Sequence, residues 1–267
     1  MKLSKKIIKS VFLFLFGAVI LSSCEKVIDP DLKDSDPVFV IEGGITNINE
    51  IQTVRVSKTI KFDQANGFNG VKGAKVVVTS STGQVLTFPE TTDGIYRSPR
   101  FRGVPGVTYK LQVTASTGEV FTASSTMPAV VRVDSINFKK ITIFSDTRVY
   151  PSVYYTDPAK VQNQYRYIMR INNKQVVEHV SDDRFNDGNA SSDLINFDGD
   201  GLQLGDKAEI EMQCIDRNVF KYYYAISQID GEGGPPVAPS NPDSNISNGA
   251  LGIFSAYTRA VYVVTYK

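Results

Sequence analysis

Tryptophan is absent from the 267 residues, histidine occurs once (His179), and cysteine occurs only at positions 24 and 214. A single imidazole excludes a histidine-built zinc site, and neither H-E-x-x-H nor a G-x-S-x-G nucleophile elbow occurs. With Cys24 committed to an anchor, Cys214 has no partner. No intrachain disulfide can then form, and the fold must rest on packing. Charge of one sign is also lacking: 29 Lys+Arg face 28 Asp+Glu. That balance gives nucleic acid no clustered basic face to bind. With 42% hydrophobic residues the chain is equally far from the composition of a disordered protein. Long apolar runs are missing too. The longest, over 11–21, falls short of the ~20 residues a membrane span requires.

What that run has instead is the context of a secretory leader. Lys2, Lys5, Lys6 and Lys9 precede it, and Leu21-Ser22-Ser23-Cys24 closes it. Leu-Ser-Ser-Cys resembles the bacterial lipobox, in which the cysteine is acylated and becomes the first mature residue. Residues 1–23 are therefore expected to be a lipoprotein signal peptide and Cys24 the lipidation site. Losing the leader removes four lysines and no acid, taking the formal net charge from +1 to −3. Each buried methylene contributes ~0.8 kcal/mol, so several acyl chains hold a body to a bilayer without a spanning helix. Residues 24–36, polar and broken by Pro30, read as the acylated cysteine and a tether. Acids soon after the cysteine resemble the export signals of Bacteroidetes surface lipoproteins, so the surface face is favoured over the periplasmic one.

From Val38 onward, short runs rich in Val, Ile, Thr and Tyr alternate with Gly, Pro, Asn and Asp. Strands are expected over 38–45, 51–60, 74–80, 84–88, 95–97, 107–115 and 120–126. In T-Y-K-L-Q-V, Tyr109, Leu111 and Val113 fall on one face, the period of a half-buried strand. Seven strands in so short a length read as an immunoglobulin-like sandwich over 37–128. A second β-rich domain is expected over 129–267. Its strands are placed over 133–144, 149–155, 164–171, 174–180, 208–215, 251–257 and 260–266. Asn172-Asn173 should make a tight hairpin, and the last strand should lie in sheet with both faces covered. One helix is expected after Asp216, with Val219, Tyr222, Tyr223 and Ile226 at helical spacing. The fold class is all-β.

Chemistry-bearing residues are few. The acidic loop 181–206 holds Asp182, Asp183, Asp187, Asp193, Asp198, Asp200 and Asp206. Within it Asn196, Asp198 and Asp200 match the opening half of a calcium loop. The bidentate glutamate that should follow is replaced by Lys207, so Asp-Gly turns are the plainer explanation of the stretch. Calcium is the one cofactor the sequence suggests. Paired acids could serve glycoside hydrolysis, but no spacing singles out a pair. Tyr154, Tyr155, Tyr222 and Tyr223 could stack on a sugar or line a protein interface, or simply be core. His179 and Cys214 read as residues of strands; over 208–215 Ile210, Met212 and Cys214 should face inward and Glu209, Glu211 and Gln213 outward, with Cys214 a small buried hydrophobe.

Read in order, LSSCEKVIDPDL, PVFVIEGGITN, VRVSKT, VKGAKVVVTSSTG, YRSPRFRGVPGVTYKLQV, TASSTMPAV, YTDPAKVQNQYRY, VSDDRFNDG and SNISNGALGIFSAY span nearly all of the mature chain. Together they resemble the Bacteroidetes outer-membrane lipoprotein family called domain of unknown function 4249. The GAKVVV and GVPGVTYKL segments are similar to carboxypeptidase-regulatory, transthyretin-like β-sandwich modules. The resemblance implies an outer-membrane location, no established catalytic residues, and a non-catalytic role as binding accessory to a TonB-dependent receptor in nutrient capture. Two other readings remain open: a structural or adhesive surface lipoprotein binding a protein or glycan, and a hydrolase using acids of the 181–206 loop.

Overall fold

Alternation of buried and exposed side chains organises this chain, and the strands form where it is cleanest. The computed structural model describes residues 36–61, 67–229 and 241–267. The expected leader, Cys24 and all but the last residue of the tether lie outside the described residues. In chain order the strands are β1 (Phe39–Thr46), β2 (Glu50–Lys58), β3 (Lys75–Ser80), β4 (Val85–Phe88), β5 (Glu90–Thr92), β6 (Ile95–Phe101), β7 (Thr108–Thr114) and β8 (Val120–Thr126). They continue with β9 (Val133–Ile143), β10 (Asp146–Thr156), β11 (Gln164–Ile171), β12 (Lys174–Asp182), β13 (Ala190–Leu194) and β14 (Lys207–Ile215). The helix α1 (Arg217–Ile229) and β15 (Leu251–Thr265) complete the chain. With 55% strand, one helix and no barrel among the described residues, the fold is all-β and sandwich-like.

The strands form three sheets: eight strands in the order β12-β11-β14-β15-β1-β2-β6-β5, four as β4-β3-β7-β8, and three as β13-β10-β9. The side-chain period of two along β15 fixes how they stack. Phe254 and Ala256 enter one hydrophobic cluster with Val76, Val78, Leu111 and Val113 of the four-stranded sheet. Val264 and Tyr266, of the same parity, pack against a second cluster with Val149 and Val153 of the three-stranded sheet. Both small sheets therefore cover the same face of the large one. Ile253 and Tyr257, of opposite parity, meet Val219 of α1 on the reverse face.

Each cluster gathers around one half of β15. The 251–257 half runs parallel to β1, and the 258–265 half antiparallel to β14. The expected boundary near Met127–Ala129 thus lies between two cores that share a strand, and residues 37–267 form one compact unit. The two strands expected over 251–257 and 260–266 are a single strand. Thr258 and Arg259, which lie between the two expected strands, find partners in place. Thr258 donates to the Ala129 carbonyl at 3.4 Å, and the Arg259 guanidinium reaches Glu50 and Glu211 at 2.8 and 3.2 Å. The sheet cover expected on both faces of this segment is found on one only, since Val261 and Val263 are 46% and 51% exposed.

Local chemistry accounts for the punctuation. Asn172 and Asn173 both take positive φ (50° and 71°), as a tight hairpin between β11 and β12 requires. Pro99 sits inside β6 where the register against β2 slips between Ile51 and Thr53, a bulge that tolerates a missing donor. Asp216 caps α1, its Oδ1 accepting the Asn218 and Val219 amides at 2.9 and 3.1 Å. Its other oxygen accepts the Ser125 hydroxyl of β8. Asp216→Ala is expected to cost about 1–2 kcal/mol, read as a lower urea midpoint with unchanged slope.

Candidate functional site

Register gathers the chemistry-bearing loops at one end of the large sheet. Gln164, the first residue of β11, lies opposite Ile215 at the end of β14 and Asp182 at the end of β12. The β10–β11 connection (157–163), the β12–β13 connection (183–189) and the start of α1 therefore meet. The two connections are laced by carboxylates reaching across. The Gly188 amide donates to Asp157 Oδ2 at 3.4 Å, Asn163 to Asp183 Oδ2 at 2.7 Å, and Lys160 to Asp187 Oδ1 at 2.7 Å. The Tyr165 hydroxyl donates to the other oxygen of Asp157 at 2.5 Å. Asp157, Asp183 and Asp187 each bring an oxygen within 4.8 Å of the others, Asp157 and Asp183 being buried. An all-oxygen donor set of this kind suits a hard cation. The hydrogen bonds above already give each carboxylate a structural task.

Beside these loops a cleft of about 580 Å³ opens against α1. Arg217, Phe220, Lys221 and Tyr224 line it from the helix, and Lys160, Gln162, Asp182 and Arg184 from the loops. Arg184 Nε lies 2.7 Å from Asp182, and Arg217 donates to Gln162 Oε1 at 3.1 Å. The rings of Phe220 and Tyr224 stack at 5.7 Å and 23°.

Behind the cleft, in the second core, Asp193 Oδ2 accepts three hydroxyls: Ser181 at 2.6 Å, Tyr167 at 2.8 Å and Tyr155 at 3.1 Å. Burial, followed by the nearby Asp193 charge, raises the pKa of Tyr155 and Tyr167 well above the usual phenol value. Tyr165 is raised likewise, by burial and then by its bond to Asp157. His179 stacks on Tyr167 at 6.3 Å, and burial lowers its pKa against the opposing pull of Asp193. On the reverse face of the large sheet, polar groups form a ladder across strands, with Glu211 and Gln213 buried at its centre. Glu178 meets Arg166 at 2.6 Å, Arg166 meets Gln213 at 2.9 Å, Gln213 meets Glu211 at 2.6 Å, and Arg259 joins Glu211 to Glu50.

Burial pushes Tyr222 and Tyr257 up to about 12. A phenol that keeps its proton in the fold but loses it near pH 10 when unfolded contributes stability below pH 10 that disappears as pH rises through the folded value. Alkaline titration followed at 295 nm is expected to show the tyrosines shifted by burial, Tyr222 and Tyr257 among them, ionising cooperatively with unfolding above about pH 11.

The structure disperses the residues read from the acidic loop. Asn196, Asp198 and Asp200 are exposed and lie outside the carboxylate group just described. Their stretch is a turn: Gly201 takes φ +73°, and a Cβ there would fall 2.8 Å from the Val149 amide nitrogen. The loop is not irregular throughout either, because β13 pairs with β10 inside it. Ala190–Leu194 escapes a propensity reading because it has no β-branched residue. Its ladder is held by backbone pairing and by Asp193.

Of the four singled-out tyrosines, Tyr155 is 1% exposed and offers no face to a ligand. Tyr154 lies on the outer side of β10, with Lys139 Nζ 5.4 Å over its ring. Tyr222 and Tyr223 pack edge-to-face at 5.3 Å, and Arg166 lies 3.9 Å over Tyr223. Cys214 is buried, accepts the Val131 amide at 3.4 Å, and has its thiol pKa raised by burial. Glu211 and Gln213, expected to face solvent, are 6% and 2% exposed because Arg259 and Arg166 cover them.

The sequence reading missed Asp157, Lys160, Gln162, Arg217 and Lys221. A signal for the helical ones was present. Arg217, Phe220, Lys221 and Tyr224 recur at i, i+3, i+4 and i+7, which is one face of α1, opposite the Val219–Tyr222–Tyr223–Ile226 face that drew attention.

A model of the family described as Domain of unknown function (DUF4249) matches residues 25–262. No curated protein matches the chain.

Proposed function

The chain belongs to the family of unknown function DUF4249, and on that premise we propose a lipid-anchored outer-membrane protein that works by binding, as accessory to a TonB-dependent receptor in nutrient capture. The observation that carries the reading is the junction at Cys24. A basic head, an apolar run and Leu-Ser-Ser stand before it, and the family match starts one residue after it. The mature body would then begin at the acylated cysteine. Residues 25–38 separate Cys24 from β1, and extended they reach at most about 50 Å. That is enough to hold the folded body clear of the headgroups. A cleft on an anchored body suits a protein that presents a ligand.

The test is a pull-down of the tagged full-length protein from detergent-solubilised outer membrane, with mass spectrometry of its amino terminus. A diacylated Cys24 and a copurifying β-barrel receptor are expected. An unmodified amino terminus would overturn the anchor. An acylated protein that elutes alone would overturn the receptor role.

A further inference from the structure

We propose that the cleft between α1 and the 157–163 and 183–189 loops is a saccharide site, taking a short oligosaccharide with a sugar ring against Tyr224. The inference rests on the reading of the chain as a binding protein and names the class of ligand. The volume, about 580 Å³, is that of small-molecule sites, which usually fall between ~300 and 1,000 Å³.

Its chemistry selects among ligands. Four cationic residues (Lys160, Arg184, Arg217, Lys221) and three acids (Asp182, Asp183, Asp187) line it together. No single sign of field prevails, as a polyanion or a bare metal ion would need. A polyol requires what this lining offers, donors and acceptors side by side. Arg217 spends one N–H on Gln162, leaving the rest of its fork and the Gln162 amide nitrogen to face hydroxyls. Arg184 Nε reaches both oxygens of Asp182, at 2.7 and 2.9 Å, which sets an acceptor beside a donor, the pairing that adjacent sugar hydroxyls match. Neither Lys160 nor Lys221 has its ammonium in an ion pair among the described residues, so both remain available for hydrogen bonds.

The remaining requirement of a sugar is a flat apolar wall for its C–H face. Tyr224 is 46% exposed, and its ring is held parallel to that of Phe220 from one helical turn below. A wall braced in this way loses little side-chain freedom when a ring docks on it. The aromatic wall, the Asp182–Arg184 pair and the Arg217–Gln162 pair line one cavity, and the core does not require their exposure. Arg217, Lys221 and Tyr224 could all turn to solvent without opening a buried cavity.

The purified full-length protein in detergent is applied to a printed array of defined neutral, uronic-acid and amino-sugar oligosaccharides, and the retained probe is then titrated calorimetrically. Retention of at least one oligosaccharide is expected. Tyr224→Ala should weaken it roughly tenfold, the scale of one lost aromatic stack, while Tyr224→Phe retains binding. Arg217→Ala should weaken it without lowering the melting temperature. If Tyr224→Ala alters folding, Arg217→Ala and Tyr224→Phe decide the matter. Failure of the wild type to retain any oligosaccharide, or wild-type affinity in Arg217→Ala and Tyr224→Ala, would overturn the proposal. Receptor capture in the pull-down with no saccharide bound would sink this inference alone. Saccharide binding by a protein that captures no receptor would sink only the receptor role.

Discussion

Ending the chain after Arg259 is expected to yield a protein that does not fold. The missing residues carry six of the ladder pairs that join β15 to β14, from Ala260↔Met212 to Thr265↔Lys207. At about 1 kcal/mol net per hydrogen bond these contribute roughly 6 kcal/mol. Val264 and Tyr266, partly buried against the second core with Tyr266 5.1 Å from Phe138, are lost too, at roughly 1 kcal/mol each. The sum is roughly 8 kcal/mol, within the range of the whole stability of a typical domain. It exposes β14 as an unpaired edge besides. The measurement is soluble yield and far-ultraviolet circular dichroism. Removing Lys267 alone, which lies beyond the strand, should leave both unchanged. A soluble, cooperatively unfolding protein ending at Arg259 would contradict the role given to β15.

Asp193→Ala carries the largest expected effect of a single substitution. It leaves Tyr155, Tyr167 and Ser181 without the acceptor they share, and the two tyrosines are buried. An orphaned buried polar group costs about 1–3 kcal/mol. With Ser181 free to turn toward water, a loss of about 3–5 kcal/mol is expected, visible as a lower urea midpoint with unchanged slope. Asp193→Asn keeps a carbonyl acceptor and should recover more than half of that. Adding Tyr167→Phe to Asp193→Ala should cost less than the two single losses together, because the first change has already broken the bond. Strict additivity would mean that the three hydroxyls do not act through Asp193.

These two cases also mark how far the sequence could be read. The alternation in β7 and β14 announced Tyr109, Leu111, Val113, Ile210, Met212 and Cys214 as core, and all six are buried. Asp216 announced the helix through its own cap chemistry. Such features are legible because cause and effect lie within a few residues. Asp157 and Asp193 were not legible as tyrosine acceptors, since a carboxylate in a turn or a polar run looks the same whether it points inward or outward. What turns Asp193 inward is Tyr155 and Tyr167, 38 and 26 residues away. The continuity of β15 through Thr258 and Arg259 was hidden for the same reason, because Glu50 stands 209 residues from Arg259. The cleft lies between. Its helical face could be read from spacing, but only the pairing of β11 with β12 and β14 brings the loops to it.

The place of β1 has a mechanical consequence. It lies between β15 and β2, paired with the first over residues 40–46 and with the second over 39–43. A pull along the strand axis from residue 37 would load both ladders in shear, straining all their bonds at once instead of unzipping them singly. A body held at that end should resist drag better than one whose terminal strand unzips bond by bond.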